Sequence, residues 1–153
     1  MDIARHLALV DELCSRPFPA EHGPSAVGAA APRAQLAVRH HLAVLRGSHG
    51  LRGGDGAERA VTVEQFEKER DAVEERLSVR WGRADPLNLQ TILLRTEHEG
   101  EIPEPWAGLS VRARVAWLWE AVGTGRWIAV AVTDRDEEDE VQLVAVVTQT
   151  PPP

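Results

Sequence analysis

Lysine is nearly missing from this 153-residue chain: Lys68 stands alone beside sixteen arginines. With abundant Ala, Gly, Val and Pro, that bias reflects GC-rich coding rather than a mechanism. It nevertheless removes one motif, because a phosphate loop needs spaced glycines followed by Lys and Ser or Thr. Gly50 to Gly56 has the glycines without such a lysine, and reads as a linker. Cysteine is almost as scarce. Cys14 alone cannot build an internal disulfide framework, and it falls on the apolar side of a predicted helix, where a small core residue is the plainer reading than a thiolate nucleophile. No basic segment followed by an apolar run opens the sequence, and no apolar stretch approaches the ~20 residues of a membrane helix. A cytoplasmic protein without a membrane partner is expected.

Several chemistries are excluded by a missing residue at one position. Gly123-Thr124-Gly125 begins a dinucleotide-type spacing, but Ile128 occupies the sixth position. Gly47-Ser48-His49-Gly50 fails the serine-nucleophile pattern because Arg46 stands where its first glycine belongs. His40 and His41 are adjacent, and Glu97-His98-Glu99 has no second histidine at a zinc spacing. The acidic run from Asp134 lacks the sixth-position glycine and twelfth-position glutamate of an EF-hand, having Asp139 and Ala145 there. No cofactor, metal or catalytic residue is therefore expected.

What is present is a single-domain mass of 16.8 kDa, with 43% hydrophobic and 27% charged residues, an ordinary globular composition. The formal charge of −7 is unevenly placed. Residues 1–60 hold seven arginines against six acids, whereas residues 61–153 hold ten basic groups against eighteen acids and all five tryptophans. Such a surface repels phosphate backbones and disfavours nucleic acid, while favouring a protein partner with a basic surface.

The periodicity predicts one α+β domain. Ile3, Leu7, Val10 and Cys14 share a face of a helix over 2–15, and the prolines of 16–32 make a loop. Ala34, Val38, Leu42 and Leu45 predict a second helix over 33–46, so residues 1–46 form a helical part. Residues 47–60, with five glycines, read as a mobile linker. Thr62 and Gln65 have capping-box spacing and open a helix over 63–79, with Phe66, Val73 and Leu77 as its seam and Glu64–Lys68 as an i,i+4 pair. Residues 126–133 and 141–149 are β-branched and apolar on both faces; they predict adjacent antiparallel strands joined by an acidic turn. Residues 87–95 and 111–122 fit a strand or a helix, and the strand is preferred for both. The region 87–149 is thus read as mostly β, with 150–153 as a frayed tail. Helices packed on one face of an antiparallel meander of three to four strands is the expected architecture.

Two features suggest a partner-binding surface. One is the turn bearing Asp134, Asp136, Glu137, Glu138, Asp139 and Glu140, which either solvates the hairpin or docks a basic protein. The other is Pro103-Glu104-Pro105-Trp106, where two prolines stiffen the chain before a tryptophan that either covers the sheet or anchors a partner. A non-enzymatic acidic protein-binding module follows, with an immunity- or antitoxin-type inhibitor of a basic protein as its sharpest form. The alternative is an enzyme or small-molecule-binding α+β domain whose site is assembled from scattered residues such as Glu97, His98 and Trp106.

The runs Ile102–Trp106, Arg126–Val130 and Gln142–Thr148 resemble a group of small uncharacterised proteins from high-GC Gram-positive bacteria, over about residues 74–153. The resemblance implies a recurring C-terminal sheet with the N-terminal helices as a more variable addition, and carries no activity, cofactor or site residue.

Overall fold

A computed structural model describes residues 2–18, 40–51, 56–121 and 123–153. The two most apolar runs pair as the sequence predicts. β4 (Arg126–Thr133) and β5 (Gln142–Thr148) form an antiparallel hairpin with Thr133 opposite Gln142 and Trp127 opposite Thr148. Around them the sheet has five strands among the described residues rather than three or four, all antiparallel, in the order β1-β5-β4-β3-β2. The α+β class holds.

Helices cover both faces, not one. α1 (Ile3–Ser15) and α2 (Gly56–Trp81) lie on the first face, where Val10, Leu13, Phe66, Val73 and Leu77 pack with Ile128, Val130, Leu143, Ala145 and Val147. α3 (Leu89–Glu99) and α4 (Trp106–Arg112) lie on the second, where Leu89, Ile92, Trp106 and Leu109 pack with Ala116, Leu118, Ala129, Val144 and Val146. The reason is legible in β4 and β5. Successive side chains point to opposite faces, so strands apolar at every interior position, Trp127–Val132 and Leu143–Val147, require two covers. Among the described residues no helix is long and apolar enough to cross a membrane.

Three expectations are corrected. The predicted helix over 33–46 lies partly outside the described residues, and its described part is β1 (His40–Gly47), paired with β5. Helical spacing of Leu42 and Leu45 is outweighed by a register in which Leu42 and Val44 face one side while Ala43 and Leu45 face the other. A bulge between Val44 and Arg46 then turns Arg46 to the same side as Leu45. The predicted linker 47–60 is also too long. Residues 52–55 lie outside the described residues, but α2 already begins at Gly56. Thr62 does not cap it; its hydroxyl donates back to the Glu58 carbonyl from within the helix. The Glu64–Lys68 pair is present at 3.5 Å.

The third correction is the strand preferred over 87–95. The chain makes only β2 (Asp85–Asn88) before turning into α3. Asn88 is the switch: its side-chain oxygen accepts from the backbone N–H groups of Gln90 (3.0 Å) and Thr91 (3.4 Å). Asn88→Ala should cost about 1 kcal/mol, read as a lower urea midpoint together with faster amide exchange at Gln90 and Thr91. An unchanged midpoint would place the cap's contribution elsewhere. The strand preferred over 111–122 is observed over its later part. β3 is Val115–Ala121, whereas Val111 and Arg112 still belong to α4.

Candidate functional site

The acidic turn is built from behind. Arg59, in the first turn of α2, directs its guanidinium at three carbonyl oxygens of the turn: Asp139 (2.6 Å), Asp136 (2.7 Å) and Asp134 (3.4 Å). That guanidinium is thus spent on backbone rather than on the carboxylates.

The six acids then divide. Asp136 accepts from the Glu138 N–H and Asp139 from the Glu140 N–H, so both side chains fold the turn itself. Glu140 accepts from the Ser48 hydroxyl (2.8 Å) and the Leu51 N–H (2.9 Å), tying the turn to the segment after β1. Ser48 also accepts from the Val141 N–H, so it is a structural hydroxyl.

Asp134, Glu137 and Glu138 instead line an open cleft of about 640 Å3, together with Glu64 and Glu67 from α2, Arg59 and Arg114. Leu51, Ala60 and Val63 supply apolar wall. Five carboxylates face two guanidiniums there, and one of the two is Arg59, held by the turn. Glu64 pairs with Lys68. Among the described residues, Glu67, Asp134, Glu137 and Glu138 have no ion pair within 4 Å. The cleft can therefore receive a cationic group between carboxylates of fixed backbone, without first breaking an internal pair.

Trp106 does not join this surface. It is fully buried in the second-face core, and its ring N–H donates to the Thr150 carbonyl at 3.0 Å. Thr150 follows the end of β5, whereas the acidic turn precedes its start, so the two features lie at opposite ends of the hairpin. The expected partner anchor is corrected to a core residue. Pro103 and Pro105 open α4 rather than extend the chain: the Pro103 carbonyl accepts from the N–H groups of Trp106 and Ala107, and Glu104 accepts from the Gly108 N–H. The tail is also shorter than expected, since Thr150 is held by Trp106.

The scattered residues of the alternative reading do not converge either. Glu97 and His98 are exposed on α3, while Trp106 is enclosed. Burial pushes the Cys14 thiol above its ordinary value, with the nearby Asp11 carboxylate adding to it, which leaves the group protonated and poorly nucleophilic. His41 stacks on Phe18, with ring centroids 4.6 Å apart, and contacts the Pro17 carbonyl at 3.1 Å. Among the described residues no group of three or more His, Cys, Asp or Glu side chains is placed to hold a metal ion.

Sequence reasoning missed two arrangements. One is Arg59 as the clamp of the turn, which no local pattern announces. The other is a buried polar cluster linking α1, β1 and α2: His6 Nε2 lies 3.2 Å from Glu69, and Arg46 donates to the other Glu69 oxygen at 3.0 Å. Its signal was available, since Glu69 interrupts the seam Phe66, Val73, Leu77 at a position facing the core.

No family model, curated protein or solved structure matches this chain. The functional reading rests on its own geometry.

Proposed function

We propose that this chain is a non-catalytic protein-binding module that receives a basic segment of its partner in the cleft between α2 and the β4–β5 turn. The observation that supports it most is the division of labour in the turn. Asp136, Asp139 and Glu140 are consumed in shaping it, while Asp134, Glu137 and Glu138 are presented to a cleft already bordered by Glu64 and Glu67. A scaffold fixed before encounter loses little entropy on binding, so its charge can act on both encounter rate and affinity. Apolar wall from Leu51, Ala60 and Val63 suits the methylene stem of an arginine or lysine beneath its charged head. An inhibitor of a basic toxin is the sharpest form of this reading.

The test is an NMR titration of the full chain with an arginine-containing peptide at two salt concentrations. Shifts should concentrate on amides of the cleft lining and shrink at high salt, as screening shortens to about 8 Å at physiological ionic strength. Replacing Asp134, Glu137 and Glu138 together by their amides should abolish the shifts while leaving the melt unchanged. Shifts spread evenly over all acidic surfaces, or persisting in the triple variant, would refute the reading.

A further inference from the structure

We infer that the chain associates with a second copy of itself through the outer edge of β1, joining two five-stranded sheets about a two-fold axis. This surface lies on the α3–α4 face and is independent of the cleft. The two edges of the sheet are differently made. β2 is four residues long, carries a charge at Asp85, and has Pro86, which lacks an N–H to donate. Such an edge resists pairing. β1 is eight residues long, and among the described residues no strand pairs with its outer side. Leu42 and Val44, on the face that α3 and α4 cover elsewhere, remain 41% and 42% exposed. Exposed apolar residues on a long edge strand are what added strands use.

The occupant is set by a self-complementary order of groups along this edge. α4 runs beside β1 with opposite charges at its two ends. Glu104 precedes the helix where Trp106 meets Thr150, which is the His40 end of β1, since His40 pairs with Thr148. Arg112 closes the helix where it donates to Gln142 at 2.6 Å, and Gln142 pairs with Gly47 at the other end of β1. Glu104, Arg112, His40 and Leu42 border one shallow groove. An antiparallel two-fold axis at Ala43 therefore sets Leu42 opposite Val44 of the second copy, and Glu104 on the side of Arg112 of the second copy, twice over. A symmetric interface demands that one patch complement itself, and this order does so in both charge and apolarity. The backbone agrees. Whichever set of residues turns N–H and C=O outward, that axis pairs either Ala43 with Ala43 or Leu42 with Val44, each a closed antiparallel pair.

Sedimentation velocity of the full chain over a concentration series tests this directly. The wild-type chain should approach twice its 16.8 kDa mass, and Val44→Lys should remain monomeric with an unchanged melt. Glu104→Arg and Arg112→Glu should each weaken self-association by about tenfold, because each homodimer then faces like charges. Mixing the two charge variants should restore association to near the wild-type value, since the mixed pair has one native and one reversed contact, both attractive. If Val44→Lys does not melt cooperatively, the mixing experiment decides. A wild-type monomer throughout the series, a dimer indifferent to a folded Val44→Lys, or a mixture no tighter than either charge variant alone overturns the proposal.

Discussion

Replacing Trp106 by alanine should destabilise the fold by about 3–5 kcal/mol, read as a lower urea midpoint at unchanged slope. The side chain is the largest of those fully enclosed, and it fills the layer between α4 and the second face of the sheet, among Leu89, Ile92, Leu109, Ala116 and Val146. Alanine would leave a cavity that neighbours drawn from two helices and two strands cannot close together. The variant also strips the Thr150 carbonyl of its donor. Trp106→Phe separates these contributions. It keeps most of the ring but not the N–H, and should lose the hydrogen bond, about 1 kcal/mol, and part of the volume. A loss below about 1 kcal/mol for alanine would mean that the indole is not enclosed as described.

Glu69→Ala should cost about 3 kcal/mol. The carboxylate is 3% exposed and accepts from two partners in different surroundings: the His6 side chain is also 3% exposed, that of Arg46 is 44% exposed. Arg46 can recover water when the carboxylate is removed, and its guanidinium still lies over Phe66. His6 cannot. With Nε2–H donated to Glu69, its Nδ1 is a buried atom without a partner, and deleting Glu69 would strand both nitrogens. Most of the penalty therefore comes from desolvated imidazole rather than from the lost ion pair. Replacing both residues by apolar ones of similar size, as in His6→Leu with Glu69→Met, should recover most of the loss, because no buried polar group is then left unmet. Denaturant melts of the single and double variants check this. A double variant as unstable as Glu69→Ala would mean that the cluster stabilises α1 against the sheet by more than mutual satisfaction.

Local sequence determined the elements whose apolar pattern admits one reading. α1 and the central part of α2 carry seams at helical spacing. β4 and β5 are apolar at every position between their polar ends and are separated by eight residues, six of them acids, which permits little besides a hairpin turning in water. That double-faced apolarity also required helices on both faces, a consequence the order of the elements obscured. The sequence by itself equally excluded a disulfide framework and a phosphate loop, because single residue types were missing.

Tertiary structure decided the rest, where two local readings had similar energy. The segment 40–46 could be a helix by spacing, and became a strand because β5 presented an unpaired edge whose hydrogen bonds outweigh a propensity difference of a few tenths of a kcal/mol per residue. Residues 89–99 became a helix because Asn88 caps them just after β2 pairs with β3. Trp106 entered the core because two prolines began a helix over the second face, which local rigidity could not distinguish from an exposed anchor. The acidic turn was visible as charge, but the division of its acids was not. It depends on Arg59 and Ser48, roughly 75 and 90 residues away along the chain, and only the closed fold brings a guanidinium to the carbonyls while leaving three carboxylates facing the cleft.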